Sequence, residues 1–275
     1  MPGPEFSSGD DLVLIAEAVR SAGAIARRYY GCKFKVWEKA EGSPVSEADV
    51  AIDSFLAERL TDARPDYGWL SEETADNSSR LSANRTFIVD PIDGTLAFVR
   101  HRPHFTICAA VSSGGRPIAG VVYNPISEEF YCAAAGRGAF CNGSAIVPST
   151  TSKIEGCRML ADKGMLAHPA WSNVPNTPWP PMHVESRSSI AYRMALVARG
   201  DFDAMLALSA KHDWDLAAAD IILTEAGACV TSHSGEILRY NRDVAVQTSV
   251  VAAGPALYPA LIERVRHLKL PQKRQ

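Results

Sequence analysis

The stretch Phe87-Ile88-Val89-Asp90-Pro91-Ile92-Asp93-Gly94-Thr95 constrains this chain more than any other. Its first half is an apolar, β-branched run, the pattern of a buried strand. Its second half sets Asp90 and Asp93 on either side of a proline. Pro91 has no N–H for a sheet ladder, so the strand is expected to stop there and the chain to turn. Both carboxylates are then held at a strand end by a stiff turn. Gly94 lets the backbone approach a ligand, and Thr95 offers a hydroxyl where a helix can open. Paired carboxylates beside backbone N–H groups suit oxygen-binding cations and a phosphate. Alone, the same residues could make a structural turn whose aspartates cap a helix; the rest of the chain decides between these readings.

The chain has 275 residues, room for one large domain or two ordinary ones. A hydrophobic content of 47% and a charged content of 21% place it among globular proteins. The net charge of −3 argues against electrostatic binding of nucleic acid. The six cysteines lack CxxC spacing and read as small buried residues of a reducing compartment. No apolar run is long enough to span a membrane, and no signal peptide is visible, so a cytoplasmic protein is expected. Residues 1–9 are a polar, Pro/Gly-rich lead.

An amphipathic helix is expected over residues 10–30, capped by Asp10, with Ile15, Val19 and Ala22 on its buried face. Residues 33–39 alternate and read as a strand. Ser46 and Asp49 have capping-box spacing at the head of a second helix. Residues 67–70 read as a short strand ending on Ser71-Glu72-Glu73, and residues 74–84 as a polar connection. Three sheet strands are expected at residues 106–111, 118–123 and 129–134. The Ser/Thr-rich stretch 147–153 reads as a boundary between two halves, residues 10–150 and 151–275. Beyond it, residues 168–181 carry five prolines and read as a surface loop. Ser186 or Ser188 is expected to cap a helix ending at Ala198, and Asp213 to open another ending at Ala226. A strand candidate covers residues 202–208, a buried strand 250–253, and a last helix about 255–268.

Acidic residues at expected strand ends or helix starts number five: Asp49, Glu72, Asp90, Asp93 and Asp215. If they converge, their repulsion must be relieved by cations or by raised pKa values. An all-oxygen set without His or Cys points to magnesium. The plainer reading of Asp49 is a favourable charge at a helix N-terminus; Glu73 reads as a solvated neighbour and Trp214 as core packing. Paired magnesium ions suit phosphoester hydrolysis, one acting on the attacking water and one on the leaving oxygen. The dispersed histidines give no triad, and Gly136-Arg137-Gly138 lacks the strand and helix of a nucleotide fingerprint.

Trp69-Leu70-Ser71-Glu72-Glu73, Asp90-Pro91-Ile92-Asp93-Gly94-Thr95 and Trp214-Asp215-Leu216-Ala217-Ala218-Ala219-Asp220 together resemble the three signatures of the inositol monophosphatase superfamily. Their order and spacing fit from about residue 10 to 268. The resemblance implies an α/β fold of α+β layers, the αβαβα sandwich, with an N-terminal α+β half and a C-terminal α/β half that completes the site. It implies a magnesium-dependent, lithium-sensitive phosphomonoesterase and a homodimer. By position, Glu72, Asp90 and the carbonyl of Ile92 would hold one magnesium, and Asp90, Asp93 and Asp215 a second. Asp49 and Thr95 would pair near the attacking water, with Asp49 touching a weaker third ion through water. Glu72, Thr95 and Asp49 are thus the expected catalytic residues. The Gly94 and Thr95 amides would receive the phosphate.

For the substrate, Gly42-Ser43-Pro44-Val45-Ser46-Glu47-Ala48-Asp49 looks more like the 3′(2′),5′-bisphosphate nucleotidases of the CysQ type. Inositol monophosphatases carry a glutamate several residues before the Trp-Asp motif. Residues 204–212 contain no carboxylate and offer Lys211 and His212 instead. Losing a hydroxyl acceptor and gaining a cation favour a substrate with a second anionic group. Ser188-Ser189 stands where many relatives have Gly-Ser or Gly-Thr. The expected substrate is therefore adenosine 3′,5′-bisphosphate, with Asp93, Gly94, Thr95, Lys211 and Asp215 around it. Inositol 1-phosphate and histidinol phosphate are the alternatives within the superfamily. A non-catalytic regulator of RNA machinery is the alternative of a different class, against which the intact acidic set weighs.

Overall fold

The computed structural model describes residues 6–39, 42–167 and 178–270. Helix α1 (Ser8–Tyr29) starts earlier than expected because Ser7, not Asp10, is its N-cap. Asp10 is the return partner of a capping box, accepting from Ser7 N at 2.9 Å. A ribbon follows, β1 (Val36–Glu38) against β2 (Pro44–Ser46), so only the end of the expected 33–39 strand is extended. Then come α2 (Glu47–Ala63) and β3 (Gly68–Ser71). A single 3-10 turn, Ser78–Ser82, leads to β4 (Arg85–Asp93) and the short helix α3 (Thr95–Val99). Strands β5 (Thr106–Ser113), β6 (Arg116–Asn124), β7 (Glu129–Ala134), β8 (Ala139–Cys141) and β9 (Ser144–Ala145) follow as a meander. From β3 to β9 they form one sheet of seven strands in chain order, antiparallel except for β3 beside β4.

The remaining elements are β10 (Arg158–Leu160), α4 (Lys163–Ala167), β11 (His183–Glu185), α5 (Ile190–Ala198) and β12 (Ala204–Ala207). They continue with β13 (Lys211–His212), α6 (Asp213–Ala226), β14 (Cys229–Thr231), β15 (Val246–Gln247), β16 (Val250–Ala253) and α7 (Tyr258–Val265). A second sheet has the order β11-β10-β12-β16-β14, and β13 pairs with β15 in a short ribbon. Residues 168–177 of the expected proline-rich loop lie outside the described residues. The α5 cap is Ser189 rather than Ser186 or Ser188; its hydroxyl accepts from Tyr192 N at 2.8 Å.

The apolar run of β4 is buried on both faces, and side chains alternate across it. Phe87 and Val89 join the core beneath α1 and α2, with Ile15, Val19, Ile52 and Leu56. Ile88 points the other way, into a core with Ala191 and Met194 of α5, Leu216 and Ala217 of α6, and Met205 and Val250 of the second sheet. The far face of that sheet packs Leu206 and Val251 on Leu257, the N-cap of α7, and on Leu261 within it. Helices, sheet, helices, sheet and helices therefore stack as the αβαβα sandwich. The run Ala217-Ala218-Ala219 keeps α6 slim enough to lie on β6. At the crossing, a Cβ on Gly120 would meet Ile221 Cγ2 at 2.5 Å and the Ala218 carbonyl oxygen at 2.6 Å. We expect Gly120→Ala to cost about 1–3 kcal/mol through overpacking. Chemical denaturation would read this as a lower midpoint with an unchanged slope; an unchanged midpoint refutes the close contact.

Pro91 does not end β4. The strand continues to Asp93, and the pairing with β5 shifts register between Asp90 and Asp93. The proline sits in this irregular segment, where its missing N–H costs no regular ladder bond. The bulge turns two carboxylates that plain alternation would separate.

Candidate active site

Gly94 closes the bulge with φ of +95°, and a Cβ there would meet Ser189 N at 3.1 Å and His104 O at 3.2 Å. The glycine is needed for the left-handed turn and for the approach of α5, besides any ligand. Its neighbours reach toward Asp93. Asp93 Oδ2 accepts from Ser189 Oγ and from Ala191 N, each at 2.6 Å, so the start of α5 fixes this carboxylate. Asp90 Oδ1 accepts from Ile92 N at 3.0 Å. From the other half, α6 supplies Asp215, whose Oδ2 accepts from His212 N at 2.8 Å. Asp213 and Asp220 hold that helix in place: Gln247 Nε2 donates to Asp213 and Tyr240 OH to Asp220, both at 2.8 Å.

Carboxylate oxygens of Asp90, Asp93 and Asp215 lie within 4.8 Å of one another. Burial pushes Asp93 up to about 6 and Asp215 up to about 8. Burial raises Asp90 as well, and the charges of Glu72, Asp93 and Asp215 add to it. The group is thus short of positive charge and consists of carboxylate oxygen alone, which fits a hard divalent cation.

Asp49 sits beside this group, at the head of α2. Its Oδ2 accepts from Ser46 N at 2.8 Å and Ser46 Oγ at 2.5 Å, the predicted capping box. Its Oδ1 faces Thr95 Oγ1 at 3.0 Å, and that hydroxyl also lies 3.1 Å from the Ile92 carbonyl oxygen. Burial pushes Asp49 up to about 6. Of the expected residues, Asp49, Asp90, Ile92, Asp93, Gly94, Thr95 and Asp215 come together.

Glu72 is adjacent but differently engaged. Its backbone N–H extends the β3–β4 pairing to Val89 O at 3.3 Å. Its carboxylate bonds to Lys39 Nζ at 2.9 Å. Glu73 is no solvated neighbour: its side chain is 6% exposed and it shares Lys39 at 2.7 Å. Burial raises Glu73 to about 7, against the pull of that lysine. Sequence reading misses Lys39 because it stands in a charged, exposed run. Lys211 is partly exposed, with Nζ 2.8 Å from Ser209 Oγ, and its charge opposes the rise at Asp215. Trp214 packs at the edge of the core, as expected, and stacks on His212 with ring centroids 4.4 Å apart.

With this arrangement in view, the profile of the inositol monophosphatase family matches residues 11–270. The chain belongs to the inositol monophosphatase family. It is 31% identical to the inositol-1-monophosphatase of Caulobacter vibrioides over 91% of this chain and 98% of the relative. It is 32% identical to that of Mesorhizobium japonicum, over 93% and 96%. Among solved structures, the extragenic suppressor protein suhB from Bartonella henselae superposes with a TM-score of 0.80 at 26% identity, over 94% of this chain and 98% of that one. The IMPase of Thermotoga maritima gives 0.79 at 26% identity, over 93% and 96%. The family member described here is accordingly a phosphatase. Among its described residues, no helix is long and apolar enough to cross a membrane.

Proposed function

We propose that this family member hydrolyses a small phosphomonoester with magnesium held by Asp90, Asp93 and Asp215, and with Glu72 and the Ile92 carbonyl completing the set. The observation that carries this reading is the convergence of three carboxylates, Asp90 and Asp93 buried and Asp215 partly buried, from two distant parts of the chain. Magnesium bound there supplies positive charge to the phosphoryl group in its transition state. The chain's own groups do the rest. Thr95 donates to Asp49 and leaves its oxygen lone pairs to orient an attacking water. Asp49, raised to about 6, is able to take a proton near neutral pH. Gly94 and Thr95 present backbone N–H groups to the phosphate. A homodimer with each subunit's site complete is part of this proposal.

For the substrate we infer adenosine 3′,5′-bisphosphate, supported by Lys211 and by the lack of any carboxylate in residues 204–212. Inositol 1-phosphate is the second reading, favoured by the names of the relatives at 31% and 32% identity. Phosphate release from adenosine 3′,5′-bisphosphate, inositol 1-phosphate, histidinol phosphate and fructose 1,6-bisphosphate separates them. The first should show the highest kcat/KM; an inositol phosphate preference hands the assignment to the second reading. Thr95→Ala should lower kcat by roughly 10²-fold with little change in KM, the signature of lost water positioning. An unchanged kcat would leave Thr95 a helix-capping residue only.

A further inference from the structure

Beside the acidic group lies a cavity of about 500 Å³, bordered by Ser188, Ile190, Arg193, Ser209, Lys211 and Asp162. It opens next to the site because its walls are the site's own supports. Ser188 and Ile190 flank Ser189, which holds Asp93. Lys211 precedes His212, whose N–H holds Asp215.

Arg193 is the anomaly in this wall. It is the one charged residue of α5, whose sequence is otherwise IAYRMALVA. It stands one turn beyond Ser189 and Ile190, on the same side of the helix. It is 9% exposed, yet among the described residues no carboxylate forms an ion pair with it. Its Nε donates to the Arg187 carbonyl oxygen at 2.6 Å; Nη2 donates to that same oxygen and reaches Ser186 Oγ at 3.4 Å. Nη1 bonds to none of the described residues. The charges of Asp93 and Asp162 act on it without forming a close ion pair, and its two engaged nitrogens fix the plane of the fork. Asp162 also borders the cavity, but its Oδ1 is occupied by Met165 N at 2.7 Å. Among the described residues that border the cavity, two cations stand against one carboxylate.

We propose that this cavity is the subsite for a second anionic group of the substrate, with Arg193 as the residue that selects for it and Lys211 assisting. The subsite rests on the phosphomonoesterase reading and gives its substrate class: phosphomonoesters with a phosphate, sulfate or carboxylate beyond the scissile group. A charge-assisted fork to such a group strengthens binding by roughly tenfold to a hundredfold.

Two matched pairs of substrates test this: adenosine 3′,5′-bisphosphate against adenosine 3′-phosphate, and fructose 1,6-bisphosphate against fructose 1-phosphate. For at least one scaffold, the wild type should favour the doubly anionic member about tenfold or more in kcat/KM. Arg193→Gln should collapse that ratio toward one, and Arg193→Lys should restore part of it. Asp162→Asn, which keeps the bond to Met165, should raise it. If Arg193 only braced residues 186–187, its loss would lower both members of a pair alike and preserve the ratio; that result overturns the proposal. A wild-type ratio near one on both scaffolds also overturns it, whether or not the Arg193 variants fold, while leaving the phosphatase reading intact. No phosphate release from any of the four compounds would bring down that reading and the subsite with it.

Discussion

Asp93→Asn should lower kcat by roughly 10³-fold or more while the protein stays folded. The substitution removes one negative charge from a group of three whose oxygens lie within 4.8 Å of one another. It keeps the shape, and an amide oxygen can still accept from Ser189 Oγ and Ala191 N, the two bonds that orient the residue. The loss falls on the cation and on the transition-state charge it offsets, which is worth several kcal/mol. The same substitution relieves repulsion in the buried group. In chelator at pH 8, Asp93→Asn should therefore melt higher than the wild type. A mutant within tenfold of wild-type kcat removes Asp93 from the chemistry, and a lower melting point in chelator contradicts the repulsion argument.

Magnesium should be needed for turnover and should stabilise the fold, more so at high pH. Burial raises the folded pKa of Asp93 to about 6 and of Asp215 to about 8, from the 3.8 of an ordinary solvated aspartate. A raised carboxylate pKa means that the folded state holds protons the unfolded state has released. Without metal, its contribution to stability is therefore lost as pH rises from about 4 through the folded values, and is fully lost above about pH 8. Magnesium binds the deprotonated group and displaces those protons. At a hundred times its dissociation constant it adds about 2.7 kcal/mol, or about 5–10 °C in Tm for a chain of this size. Thermal melts with chelator or magnesium at pH 6 and pH 8 should show the larger shift at pH 8. Calcium, larger and looser in coordination, should not restore activity. Equal shifts at both pH values would refute the account of the buried carboxylates, and full activity in excess chelator would refute the metal.

Local signals are readable in the chain, and they account for much of the frame. The Ser46–Asp49 capping box, the α6 start at Asp213 and its end at Gly227, and the alternating strands of the meander all depend on residues close in sequence. So does the order of the acidic motifs, from which the family can be named. Cap positions slip by one to three residues at Ser7 and Ser189, because several Ser or Asp residues nearby could each serve.

Contacts through space are not readable in this way. The sequence pattern ends β4 at Pro91, but the partner strand β5 carries it on to Asp93 through a bulge. The pattern also leaves Glu73 in solvent, whereas Lys39 reaches across to it and Glu72. Arg193 does leave a trace in the sequence, one charge in an apolar helix. Only the packing of α5 shows that it is buried, without an ion pair among the described residues, and at the edge of a cavity. Motif identity and helix or strand periodicity are short-range properties, so the carboxylates that converge can be picked out from the chain alone. How far apart their charges lie is set by packing, because Asp90 and Asp215 meet only after two sheets and a helix layer have come together. That distance sets the repulsion, the raised pKa values and the demand for a cation.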